Sequence, residues 1–191
     1  YEKISDKSYS YLLESIEGGK KWSRYTIIGL PSQDYIELIK GKLYLHESGK
    51  TSEIDTDSPI EWIQNYNEDL KVHCANNLPE FQGGLVGYFG FDTVKIFEPN
   101  IQISSQRDLL KTPDIKLIIS RDLLIFDKLK NKIHIIVISD QTLDDFDKSL
   151  SKIDEIIKLI ENHALSFRER AVEHRTRESS KDDKLTYHFP R

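Results

Sequence analysis

Apolar and polar positions alternate along the chain in short strand-like runs, and a long helical stretch follows them. Tyr25–Ile28, Tyr35–Ile39 and Leu43–His46 each carry apolar residues at strand spacing. The last two are joined by Lys40-Gly41-Lys42, so this pair predicts a hairpin, because two apolar runs around a short glycine-containing loop fold back on each other. The segment SPIEWIQNYNEDL changes period. Ser58 stands where it can cap the first free N–H groups, Pro59 suits the first helical position, and Ile60, Ile63 and Leu70 mark one face, which predicts a helix.

In FQGGLVGYFGFDTVKIFE the glycines at 83, 84, 87 and 90 recur too often for a plain strand and imply a bend or the close approach of another backbone. DIKLIISRDLLIFD, a turn at KLKN, and KIHIIVIS then predict a second hairpin rich in β-branched residues. Leu143, Phe146, Leu150, Ile153, Ile157 and Ile160 fall three or four apart, the spacing of an amphipathic helix, capped near Thr142. From 163 onward the chain is dense in charge and poor in aliphatic residues. That composition reads as a linker over 163–191 leading toward a further domain, with 1–162 forming the first. The fold class expected is α+β: an antiparallel, hairpin-built sheet with helices near 59–71 and 143–161 packed on one side.

Composition narrows the function classes. A chain of 191 residues suits one domain with its own core, or one domain and a linker. No run approaches the roughly 18 apolar residues that a membrane span needs, so no membrane partner is expected. The net charge of −5 supplies no basic face for a nucleic-acid backbone, and aromatic residues are not interleaved with clustered Lys and Arg. Cys74 is the single cysteine, which rules out an intrachain disulfide or a thiolate metal site and fits a reducing cytoplasm. Methionine is absent and the chain opens on Tyr1, so a piece of a longer protein is expected.

Most candidate chemistry falls away on inspection of the motifs. GGLVGYFG matches neither the dinucleotide fingerprint, which opens a helix, nor the phosphate loop, which ends in Gly-Lys-Ser/Thr. His163, His174 and His188 have no acidic or thiol partner at ligand spacing, and no Ser/His/Asp set suggests itself. What remains is YLLESIEGGKKWSRYTIIG, where a strand-like run ends on Glu14 and Ser15 and another resumes after Arg24. Two readings stand. In one, a carboxylate and a hydroxyl cap a turn and the arginine pairs locally. In the other the three anchor a small molecule: a carboxylate for an ammonium, a hydroxyl as second partner, and a guanidinium able to fork onto a carboxylate, a pattern suited to a free amino acid.

The same stretch resembles the N-terminal signature of anthranilate synthase component I, in which Leu-Leu-Glu-Ser, Glu-Gly-Gly and Arg-Tyr-Ser-Phe-Ile-Gly follow at this spacing. FQGGLVGYFGFDTVKIFE resembles the family's Gly-Gly-x-x-Gly-Tyr-x-x-Tyr-Asp block, with Phe91 in place of the tyrosine, and PDIKLIISRDLLIFDKLKNKIHII resembles the strand pair that follows it. The resemblance spans roughly residues 9–140. It implies an enzyme that makes anthranilate and pyruvate from chorismate, with ammonia from a glutamine amidotransferase subunit (component II) and with Mg2+, in tryptophan synthesis. The family's chorismate and metal motifs, such as Gly-Asp-Ile-Phe-Gln and Asn-Pro-Ser-Pro-Tyr, belong to its C-terminal domain and do not occur in this sequence, so no catalytic or metal residue is assigned and the chain alone is expected to be inactive. What the resemblance does imply here is a feedback site for tryptophan that includes Glu14 and Ser15, with Arg24 either serving the effector or holding the loop. The related aminodeoxychorismate synthase component I shares much of this domain and is the alternative family. Isochorismate and salicylate synthases keep less of these blocks. A stand-alone amino-acid binding module and a partner-docking domain are the readings without chemistry.

Overall fold

The computed structural model describes residues 9–14, 24–70, 78–98, 112–139 and 143–178, the last stretch with side chains at 144–162 alone. The chain divides into two compact units, Tyr1–Phe146 and Asp147–Arg191. The described part of the first is built on two antiparallel sheets. One holds four strands in the order β1 (Tyr11–Glu14), β2 (Tyr25–Gly29), β8 (Asp122–Asp127) and β9 (Lys132–Val137). The other holds five, in the order β5 (Lys50–Ile54), β4 (Lys42–Glu47), β3 (Tyr35–Ile39), β7 (Ile115–Ser120) and β6 (Gly84–Phe89). The α+β class expected from the sequence is the one observed, but the single sheet of that reading is two.

The sheets meet where two chain segments cross together from one to the other. The sequence reads Asp114–Asp127 as one strand, yet β7 pairs with β3 in the five-stranded sheet and β8 with β2 in the four-stranded one, with Arg121 alone between them. The neighbouring segment makes the same crossing in reverse, from β2 to β3. Five residues separate Gly29 from Tyr35, whereas four separate their partners Leu123 and Ile118. One extra residue on one strand bends it and raises its twist, as a bulge does, and this is how a strand changes sheets at a corner. The corner is closed by Leu30 N–H on Asp122 O at 3.0 Å and Ile119 N–H on Asp34 O at 3.0 Å.

Two hairpin turns follow directly from composition. Lys40-Gly41 and Ser48-Gly49 both have positive φ at both central residues, the two-residue turn whose twist matches that of the strands it joins. The first closes the predicted β3–β4 hairpin. The second adds β5, which the apolar pattern did not reveal because its residues, KTSEI, form an exposed edge. Gly87 bears out the expected close approach: a Cβ there would fall 1.9 Å from the Lys116 carbonyl oxygen on β7.

The core of the five-stranded sheet is Ile36, Leu38, Leu43, Ile115, Leu117 and Ile119, all on one face, with Ile63 of α1 (Pro59–Asp69) packed among them. Trp62 and Tyr66 of the same helix stack on each other at 5.2 Å beside that cluster. Ser58 precedes the helix as expected but makes no side-chain cap bond; its carbonyl accepts from Trp62 N–H and its own N–H donates to Thr56 Oγ1 at 3.1 Å. Pro59 already removes one of the donors a cap would serve. In the other sheet Leu123, Leu124 and Ile125 are all fully buried, so β8 is covered on both faces, as its unbroken apolar run requires.

After β6 a single 3-10 turn (Phe91–Thr93) leads into α2 (Val94–Phe97). The last element, α3, is Leu143–Glu178. It forms where the three-and-four spacing places it but does not stop near His163: Ala, Leu, Arg and Glu dominate residues 164–178, and these favour helix even where no apolar stripe continues. Thr142 and the end of the chain from 179 lie outside the described residues.

Candidate functional site

β1 is an edge strand whose four residues pair with β2 in a register that sets Glu14 opposite Thr26. Thr26 in turn lies opposite Phe126 of β8, so Glu14, Thr26 and Phe126 form one cross-strand row. Thr26 Oγ1 donates to Glu14 Oε1 at 3.2 Å, and Lys128 Nζ, two residues beyond Phe126, approaches the same oxygen at 3.3 Å. The Glu14 side chain is 53% exposed and that of Lys128 47%. Ser15, the next residue of the expected site, lies outside the described residues, as do the glycines at 18 and 19.

Arg24 points elsewhere. Its Nε and Nη2 donate to Asp127 Oδ1 and Oδ2 at 3.1 and 2.8 Å, a two-point pairing that matches guanidinium to carboxylate. The Asp127 side chain is 1% exposed and its Oδ1 also accepts from the N–H groups of Leu129 and Lys130, both at 3.1 Å. The Arg24 hydrogen bonds first, then the backbone donors, hold its carboxyl down to about 2 despite the opposing effect of burial. The guanidinium also lies 4.7 Å over the Tyr25 ring. This clamp fixes the β8–β9 turn to the start of β2, and Lys128 N–H completes it on Arg24 O at 2.9 Å. Of the residues singled out from the sequence, Glu14 thus meets Thr26 and Lys128 at a partly exposed position, while Arg24 pairs with the buried Asp127 instead. Asp127 and Lys128 escaped the sequence reading, although Asp at the head of a turn is a known signal for binding the N–H groups two and three residues on.

A second polar cluster fastens the segment just before β1. Glu37 Oε1 meets His46 Nε2 at 3.0 Å and its Oε2 meets Lys116 Nζ at 3.3 Å. Thr51 Oγ1 lies 2.8 Å from His46 Nδ1, so a neutral ring protonated on Nε2 satisfies both neighbours. The His46 ring stacks on Tyr35 at 4.1 Å, and Tyr35 packs against Tyr9 at 4.6 Å. Lys116 Nζ sits 4.6 Å from the Tyr9 ring and 4.4 Å from that of Tyr35, and it donates to Tyr9 Oη at 3.3 Å. Two residues on, Tyr11 Oη is 2.7 Å from Ser120 Oγ. The approach to β1 is therefore anchored on the five-stranded sheet at Tyr9 and at the corner between the sheets at Tyr11. Among the described residues no three His, Cys, Asp or Glu side chains converge to hold a metal ion, and no helix is long and apolar enough to cross a membrane.

Comparison with known proteins places this geometry in context. No protein-family model matches the chain. Anthranilate synthase component 1 of Pseudomonas putida is 40% identical over 141 residues, which cover 73% of this chain and 29% of that protein. The Pseudomonas aeruginosa protein of the same name is 35% identical over 160 residues, 83% of this chain and 32% of the relative. The crystal structure of anthranilate synthase component I from Streptococcus pneumoniae TIGR4 matches with a TM-score of 0.56 at 26% identity, covering 75% of this chain and 32% of that one. The chain spans about a third of the length of the relatives it matches. Over most of its own length, in sequence and in its antiparallel α+β fold, it is similar to one part of anthranilate synthase component I.

Proposed function

We propose that this chain is the N-terminal, regulatory domain of an anthranilate synthase component I, with residues from 163 on leading toward the part of the protein that it does not span. In this reading the whole polypeptide converts chorismate and ammonia to anthranilate and pyruvate. A glutamine amidotransferase subunit, component II, supplies the ammonia. Mg2+ and chorismate belong to the remaining two thirds, and the present domain contributes no group to the chemistry. Tryptophan is the feedback effector, held at the end of β1 by Glu14 and Ser15.

The observation that carries the effector reading is the state of Glu14. A carboxylate at the end of a short edge strand, half exposed and backed by a hydroxyl from Thr26, is placed to receive an ammonium from solution. Arg24 supports the site from behind, through the clamp that sets the register of β2 against the β8–β9 turn. Tryptophan inhibits in this reading because it binds one arrangement of the two-domain protein better than the other; equal affinity for both would shift nothing.

The test uses the full-length polypeptide with its amidotransferase subunit, chorismate, glutamine and Mg2+, following anthranilate fluorescence while tryptophan is titrated. Glu14→Gln keeps the size of the side chain and removes its charge. A hydrogen bond to a charged group contributes about 1.5–3 kcal/mol, and the exposure of Glu14 argues for the lower end, so the tryptophan inhibition constant should rise about tenfold. An unchanged constant would leave Glu14 as a plain strand residue paired with Lys128.

A further inference from the structure

An amino acid is a zwitterion, and a site selective for it has to meet a carboxylate as well as an ammonium. Arg24, the residue whose type suggests that role, has the Nε–Nη2 edge of its guanidinium on the buried Asp127 carboxylate. Turning it toward a ligand would leave Asp127 charged and buried with one partner gone, which is costly. The cation that actually stands beside Glu14 is Lys128, 3.3 Å from Glu14 Oε1.

We propose that Lys128 is the group that reads the effector's carboxylate, so that the Glu14–Lys128 pair forms a two-point site for the backbone of a free amino acid. The assignment rests on the reading of Glu14 as the partner of the ammonium. Opposite charges already side by side in the free protein match the opposite charges borne on one carbon of the ligand. The ligand's ammonium takes the place of Nζ at Glu14 Oε1, and the displaced lysine turns to the ligand's carboxylate. Both side chains are half exposed, so the exchange needs no buried group to move. The backbone that carries Lys128 is fixed, because its N–H is on Arg24 O at 2.9 Å and the preceding Asp127 is held by the Arg24 fork and two turn N–H groups. Three elements far apart in sequence thus converge: the end of β1 gives the anion, β2 gives the Thr26 hydroxyl, and the β8–β9 turn gives the cation. Arg24 becomes a positioning residue that presents Lys128.

Two analogues separate the two charges. Tryptamine lacks the carboxylate, and indole-3-propionate lacks the ammonium. Binding of each, and of L-tryptophan, to the full-length polypeptide is measured by isothermal titration for wild type, Lys128→Met, Lys128→Arg and Glu14→Gln. Lys128→Met should weaken tryptophan about tenfold, as expected for loss of a charged hydrogen bond. It should leave tryptamine unchanged or tighter, because Lys128 no longer competes for Glu14. Lys128→Arg should restore most of the tryptophan affinity. Glu14→Gln should weaken tryptophan and tryptamine but spare indole-3-propionate. Undiminished tryptophan binding in Lys128→Met, or an equal loss for tryptophan and tryptamine, overturns the role of Lys128 while leaving that of Glu14 intact. Failure of the wild-type protein to bind tryptophan overturns both.

Discussion

Gly87 offers a quantitative test of how closely β6 and β7 lie. It sits opposite Leu117 in the β6–β7 ladder, and its backbone is of ordinary strand type, so substitution by alanine adds no φ strain. The whole cost is steric. The new Cβ would lie 1.9 Å from Lys116 O and 2.9 Å from Leu117 Cα, both backbone atoms that cannot rotate away, whereas ordinary contact begins at 3.4 Å. β6 must therefore retreat from β7 by about 1.5 Å at this point. A movement of that size breaks the ladder hydrogen bonds on either side of the pair; the β6 groups, exposed from Gly87 to Phe89, can turn to water, but those of β7 around buried Leu117 lose their partners at about 1–3 kcal/mol each, so a loss of about 2–4 kcal/mol is expected. Gly90→Ala is the internal control, because its Cβ would lie 3.0 Å from Asp114 O and needs a shift of a few tenths of an ångström, costing under about 1 kcal/mol. Urea denaturation followed by circular dichroism gives both values from the shift in midpoint at constant slope. A Gly87→Ala protein within about 0.5 kcal/mol of wild type would refute the inferred approach of the two strands.

Further outcomes follow from the same structure. Asp127, held down to about 2 from an ordinary 3.8, contributes stability that is fully present above its unfolded value and lost as pH falls through its folded one; denaturation midpoints between pH 5 and 2 should fall in wild type and much less in Asp127→Asn, which is already weakened at pH 7. The Tyr66 phenol is pushed up to about 12 by burial and by Glu47, whose Oε1 it contacts at 3.2 Å, so the protein should lose stability as pH rises from 10 toward 12, and Tyr66→Phe should flatten that loss in alkaline denaturation. Leu38→Ala, at a fully buried core position, should cost about 2–5 kcal/mol in the urea assay. The 191-residue chain mixed with chorismate, ammonia and Mg2+ should form no anthranilate above a no-protein control, and turnover would mean that its chemistry has been misplaced.

Local patterns were legible in the sequence where one face of an element is apolar and its ends carry turn residues. The β3–β4 and β8–β9 hairpins, α1, and the start of α3 all meet that condition. β5 does not, because an exposed edge strand of Lys, Thr, Ser and Glu has no apolar face to reveal it. The change of sheet at Arg121 escaped for a different reason: Ser120-Arg121-Asp122 contains no glycine or proline, and the bend is imposed by the extra residue on the facing segment rather than by local chemistry. At the site, Glu14 and Arg24 were legible because a charged residue ending or opening an apolar run is conspicuous. Their partners were not, since Arg24 and Asp127 are 103 residues apart and Glu14 and Lys128 are 114 apart, and only the β1-β2-β8 pairing brings them together. That pairing also sets the Arg24 guanidinium on Asp127, at the β8–β9 turn, rather than beside Glu14.

Amide hydrogen exchange of the full-length polypeptide, with and without saturating L-tryptophan, tests most directly whether this domain receives the effector. Peptides covering Tyr11–Ser15 and the β8–β9 turn around Lys128 should slow markedly in exchange when tryptophan is present, while the distant β4–β5 hairpin should not change. The same protection should be lost at equal ligand concentration in Glu14→Gln. Protection confined to other parts of the protein, with Tyr11–Ser15 unaffected, would contradict the account.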